Sequence, residues 1–115
     1  MFIFRRLFQT AASPMSAAKI KAQKIIDENG VAVFSKSYCP YCKATKQLLD
    51  SVGAKYYALE LDEVSDGSEI QAALQEISGQ RTVPNIFINR KHIGGNSDIQ
   101  ARKDLKDLLA EAGAI

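Results

Sequence analysis

The chain has 115 residues and only two cysteines, Cys39 and Cys42, which stand three positions apart in the stretch SKSYCPYCK. Three kinds of chemistry use such a pair: metal binding, covalent stapling and thiol–disulfide exchange. A structural zinc site usually takes four nitrogen or sulfur ligands, and two thiolates with the single histidine, His92, do not complete that tetrahedron. His92 falls on an expected hairpin strand, where it reads as a half-exposed surface residue. A structural disulfide closing so short a loop would remove little unfolded-state entropy, and intracellular compartments disfavour such bonds. Exchange fits best. Positions i and i+3 at the start of a helix bring the Cα atoms inside the roughly 4.4–6.8 Å window of a disulfide.

The acidity of the first sulfur then sets what it does. A helix beginning here puts Cys39 against unpaired N–H groups and the positive end of the helix dipole, with Lys36 adding charge nearby. Pro40 suits the first helical turn, where its missing N–H costs nothing. Cys42, one turn in, is expected to be more buried and less acidic. An ordinary thiol is only ~3% ionised at neutral pH, so full ionisation gains at most about thirtyfold in reactive species. Lower basicity also costs about tenfold in nucleophilicity for every two pKa units. The larger benefit falls on the reverse role, because a stable thiolate is a good leaving group.

Such a site needs a strand to deliver Cys39 and a helix to receive it. VAVFS, residues 31–35, is a short apolar run of β-formers that reads as a buried strand ending just before the cysteines. Ahead of it, AAKIKAQKIIDENG repeats Ala18, Ala22, Ile25 and Ile26 at helical spacing and stops at Gly30. After it, residues 42–51 continue a helix with Leu48 and Leu49 inward and Gly53 closing it. KYYALEL, 55–61, predicts a second strand. In DGSEIQAALQEISG, Asp66 and Glu69 have the spacing of a capping box, and Ile70, Ala73, Leu74 and Ile77 follow the helical rule. VPNIFIN and KHI predict two strands joined by a tight turn at Asn89-Arg90. The tail from Asn96 or Ser97 as N-cap predicts one further helix, with Leu105, Leu108, Leu109 and Ala112 on its buried face. Strands separated by helices imply parallel pairing and the hairpin an antiparallel one, so the sheet is mixed.

Hydrophobic residues make up 46% of the chain and charged residues 24%, yet no apolar run reaches the roughly 18 residues of a membrane span. The net charge of +2 is accounted for by Arg5 and Arg6, without which basic and acidic residues balance. A balanced body argues against a general nucleic-acid surface. The first acidic residue is Asp27. On a helix, Phe4, Leu7, Phe8 and Ala11 share one face and Arg5, Arg6 and Gln9 the other. Residues 1–14 therefore read as a mitochondrial-type targeting leader or a disordered tail, ahead of a single domain over 15–115. Met15 offers a second start, and with it a cytosolic form.

CPYC, TVP at 82–84 and GGNSD at 94–98, in this order and spacing, resemble the dithiol glutaredoxins of CPYC type. ISGQRTVPNIFINRKHIGGNSD is especially similar to fungal members. The resemblance covers about residues 17–112. The thioredoxin branch is less similar, since the chain has no Trp. What the resemblance implies is an α/β, thioredoxin-like fold, a four-stranded mixed sheet flanked by helices. It also implies a monomeric, glutathione-dependent thiol–disulfide oxidoreductase with no bound cofactor or metal. Glutathione is then the reducing co-substrate. Its partners are glutathionylated proteins and protein disulfides, with neither nucleic acid nor membrane among them. By the same resemblance Cys39 is the nucleophile that takes the glutathionyl group, and Cys42 resolves protein disulfides.

The rest of the site follows from the same match. Val83-Pro84 corresponds to the family's cis-proline, preceded by Thr82, and leaves Val83's backbone to pair with the cysteinyl part of glutathione. Lys36 and Gln71 correspond to positions at the glycyl end, with Tyr41 beside it and Arg81 helping by charge. Ser97 and Asp98 correspond to the γ-glutamyl end, and Tyr38 packs beside the site. Some relatives hold an iron–sulfur cluster between two chains, through one cysteine and one glutathione each. Those usually carry Gly or Ser where Pro40 stands, so the proline argues for catalysis.

Overall fold

The structure, a computed structural model, describes residues 16–115. The targeting expectation for residues 1–14 and the second start at Met15 lie outside the described residues. The elements run α1 (Ala17–Glu28), β1 (Val31–Ser35), α2 (Pro40–Ser51), β2 (Tyr57–Glu60), α3 (Gly67–Ser78), β3 (Asn85–Ile88), β4 (Lys91–Gly94), α4 (Asn96–Gln100) and α5 (Leu105–Glu111).

β1 sits inside the four-stranded sheet, whose order is β2-β1-β3-β4, and all five of its residues are buried. That is why its sequence reads as a continuous apolar run rather than an alternation. Its alternate side chains serve opposite faces. Ala32 and Phe34 pack with Ala22 and Ile26 of α1, Ile70 and Leu74 of α3, and Phe87. Val31 and Val33 pack with Leu49 of α2, Ile99, Leu105 and Leu109. The molecule thus has three layers, and α2, the helix that carries the cysteines, is clamped to the second face by Leu49.

β1 and β2 pair in parallel, with Ser35 opposite Glu60. β3 pairs antiparallel to β1, which corrects the expectation that every helix-connected strand runs parallel. The connection through α3 carries the chain past β2 to the far edge of β1, so β2 and β3 never pair. β3 and β4 form the expected hairpin, and Asn89 and Arg90 both take positive φ, 51° and 68°, as a two-residue I′ turn requires.

Four local expectations are also corrected. Asp66 makes no side-chain bond to the α3 amides; its carboxylate is taken by Lys21 of α1 at 3.0 Å, so the capping box does not form. β2 is shorter than the seven-residue strand read from KYYALEL. The C-terminal helix is two helices: Ile99 and Leu105 are both buried, and a spacing of six places them about 120° apart on one continuous helix. The break at 101–104 lets both face the sheet. The N-cap of α4 is Gly95, not Asn96 or Ser97.

Candidate functional site

β1 ends at Ser35, and the turn after it is closed by the Cys39 N–H donating to the Lys36 carbonyl at 3.1 Å. Cys39 is the N-cap of α2, with extended φ and ψ of −86° and 118°, and Pro40 opens the helix behind it. A cap of this kind normally offers oxygen to the unpaired amides of the first turn. Here the acceptor is sulfur: the Cys42 N–H donates to Cys39 Sγ at 3.3 Å. Cys39 is partly exposed and Cys42 fully buried, both as free cysteines.

Burial pushes the Cys42 thiol up to about 11, and its hydrogen bond to Cys39 acts in the same direction. The Lys36 backbone and the Ser35 hydroxyl pull the other way but do not prevail. The pair is therefore asymmetric, with one sulfur at the surface and its neighbour holding a proton below it.

Across from Cys39 lies the loop between α3 and β3. The Val83-Pro84 bond is cis, and the Val83 carbonyl is 3.9 Å from Cys39 Sγ. Val83 precedes β3, and among the described residues its N–H and C=O have no backbone hydrogen-bond partner. Gln80 fixes this loop from within: its amide donates to the Thr82 carbonyl at 3.1 Å and the Pro84 carbonyl at 3.0 Å. Gln71 donates to the Arg81 carbonyl at 2.9 Å, while the Arg81 guanidinium reaches Gln75 at 3.4 Å. Buried Asn85 continues the brace, donating to Ser78 and to the Gln80 carbonyl.

Thr82, Val83, Pro84, Tyr41 and Ser97 converge on one cavity of about 490 Å³, completed by Gly95 and Asn96. That volume is in the range of small-molecule sites. Asp98 stands at its edge, where Oδ2 accepts the Gly95 N–H at 2.8 Å. Gly94, at φ 123°, lies so close that a Cβ there would sit 2.3 Å from the same oxygen, so Gly94 is what admits the carboxylate. Thr45 of α2 donates to Asn96 at 3.0 Å and ties the cysteine helix to this wall.

Of the residues singled out from sequence, Cys39, Tyr41, Thr82, Val83, Pro84, Ser97 and Asp98 are gathered here. Lys36 flanks them through the turn. Gln71 and Arg81 border the loop from outside the cavity lining, with Gln71 engaged in holding it. Tyr38 is 71% exposed and does not line the cavity. His92 lies on exposed β4, with Nε2 3.0 Å from Asn85 Oδ1, and partial burial lowers its pKa although Asp98 acts to raise it. Gln80, Asn85 and Asp62, which binds Ser37, are supports that sequence reading missed. Each acts through contacts made by the fold, and no local spacing announces them.

The family model described as Glutaredoxin matches residues 31–93. A glutaredoxin of Ricinus communis is 55% identical over 101 residues, 85% of this chain and 99% of its own length. Glutaredoxin-2 of Schizosaccharomyces pombe is 52% identical over 99 residues, 84% of this chain and 90% of that one. The buckwheat glutaredoxin–glutathione complex shares 50% identity and superposes with a TM-score of 0.84, covering 85% of this chain and 92% of that one. With a thioredoxin-like mixed sheet and a Cys-Pro-Tyr-Cys pair at the mouth of α2, the chain belongs to the glutaredoxin family.

Proposed function

We propose that the chain is a dithiol glutaredoxin of CPYC type, a glutathione-dependent oxidoreductase that reduces protein–glutathione mixed disulfides and protein disulfides. The observation that carries this reading is the partly exposed Cys39 sulfur, which accepts the Cys42 N–H and faces the backbone of Val83. The Cys39 thiolate attacks the glutathione sulfur of a mixed disulfide. A new S–S bond forms to Cys39 as the old one breaks, and the protein thiolate leaves and takes a proton. A second glutathione thiolate then attacks that sulfur, releasing oxidised glutathione and regenerating the Cys39 thiolate. With a protein disulfide, Cys42 gives up its proton and closes on Cys39 to expel the partner.

In this reading the cysteinyl part of glutathione pairs with the Val83 backbone, flanked by Thr82 and Pro84. Lys36, with Tyr41 beside it, meets the glycyl carboxylate, Arg81 adds positive charge and Gln71 steadies that end of the loop. Ser97 and Asp98 meet the γ-glutamyl end, where Asp98 holds the amine. The enzyme works as a monomer, with glutathione as co-substrate and no resident cofactor, so protein purified without air is expected to be colourless. Fungal-like character rests on the stretch 77–98 alone, since the castor-bean and fission-yeast relatives stand at similar identity. Residues 1–14 direct one form to the mitochondrion, and a start at Met15 leaves a cytosolic one. Among the described residues no helix is long and apolar enough to cross a membrane.

Glutathione-dependent reduction of a small mixed disulfide by the purified protein tests the activity. Turnover is expected, and its absence in folded, reduced protein overturns the reading. Imaging a tagged chain with and without residues 1–14 tests the compartments.

A further inference from the structure

Asp62 lies just beyond β2 and 25 positions from the turn that leads into Cys39. Its Oδ1 accepts the Ser37 N–H at 2.9 Å, and its Oδ2 accepts the Ser37 hydroxyl. These two bonds tie the Lys36–Cys39 turn to the end of the parallel strand. The same carboxylate is within Coulombic reach of Lys36, whose charge adds to the two Ser37 bonds in holding Asp62 below the usual carboxylate range. Among the described ion pairs none includes Lys36. The carboxylate therefore spends its hydrogen bonds on Ser37 and acts on Lys36 through its field alone.

We propose that Asp62 is a positioning residue that sets the glutathione affinity of the site, fixing the Lys36–Ser37 turn while its negative charge offsets part of the pull of Lys36 on the glycyl carboxylate. The proposal rests on the reading of Lys36 as the cation for that carboxylate. Each turnover must release a glutathione disulfide bearing twice the carboxylates of the co-substrate. A tempered cation shortens the product's stay at the cost of weaker binding of the substrate.

The test is a double-mutant cycle of Asp62→Asn with Lys36→Ala, read as KM and kcat for glutathione at low and high salt. Asparagine keeps an oxygen for the Ser37 N–H and removes the charge. One unit charge acting through a water-like medium at this range changes affinity about two- to fivefold, and salt screens it. Asp62→Asn is thus expected to lower KM about two- to fivefold at low salt and less at high salt, with the melting temperature unchanged. Asp107→Asn, the same charge change on α5, is expected to leave KM as it was. In the Lys36→Ala background the glycyl carboxylate is no longer held beside the turn, so the Asp62 effect should shrink. An unchanged or higher KM in Asp62→Asn overturns the proposal while leaving Lys36 in place, provided Lys36→Ala by itself raises KM. A Lys36→Ala variant with unchanged KM overturns the underlying reading of Lys36, and the proposal with it. An equal fall in KM with and without Lys36 shows that Asp62 acts elsewhere, which also overturns it.

Discussion

The backbone amide of Cys42 donates to the sulfur of Cys39 at 3.3 Å, so the buried member of the pair holds the exposed sulfur in place through its main chain. The N–H belongs to the backbone and survives replacement of the Cys42 side chain. Cys42→Ser should therefore retain most glutathione-dependent reduction of a small mixed disulfide and lose the reduction of protein disulfides. Cys39→Ser should lose both. Steady-state rates on the two substrate types check this, and activity in Cys39→Ser would reassign the nucleophile.

The buried thiol predicts a pH signature. The folded chain holds the Cys42 proton up to about 11, against an ordinary value of 9.0, so folding favours the protonated form. Its contribution to stability is whole below pH 9 and is lost as pH rises through 11. Urea unfolding between pH 8 and 11 should show a decline that is smaller in Cys42→Ser. Parallel curves for the two proteins would count against the buried proton. Brief alkylation near pH 7 should label Cys39 first.

Asp98 does structural work and, under the function proposed above, binding work as well. Its carboxylate accepts the Gly95 N–H in the manner of a capping residue, and loss of such a bond costs about 0.5–2 kcal/mol. Asp98→Ala should lower stability by roughly 1 kcal/mol and raise the glutathione KM several-fold. Asp98→Asn should recover the stability better than the KM, because it keeps the acceptor and loses the charge for the amine. Chemical denaturation and kinetics on both variants separate the two effects.

Leu49 joins the cysteine helix to the sheet and is fully buried among Val31, Val33, Ile86 and Leu109. Leu49→Ala should cost about 2–5 kcal/mol in urea unfolding. A cost below about 1 kcal/mol would mean that α2 is not anchored by this contact.

Most of what positions the cysteines was legible in the sequence because it is local. An unbroken apolar strand leads into a proline at the first helical turn, and the Asn89-Arg90 hairpin has a periodicity of its own. What escaped depends on partners far along the chain. Asp66 has the spacing to cap α3, but Lys21 of α1 competes for its carboxylate and wins. The antiparallel course of β3 is a matter of crossover, which helical periodicity does not encode. The break after Gln100 was within reach, since Ile99 and Leu105 do not share a helical face. Within the site, CPYC, TVP and GGNSD marked the exposed cysteine, its facing loop and the far wall. The braces at Gln80, Asn85 and Asp62 carry no motif, because any polar side chain brought there by the fold would serve.

Gln80 grips the carbonyls on either side of Val83, while Val83's own N–H and C=O have no backbone partner among the described residues. A docking edge made of main chain reads main chain, so it asks nothing of a client's amino-acid order. Under the activity proposed above, the tripeptide tag is what is recognised and the protein carrying it is incidental. One small enzyme can then repair many unrelated clients, and their surfaces need share only an accessible modified sulfur.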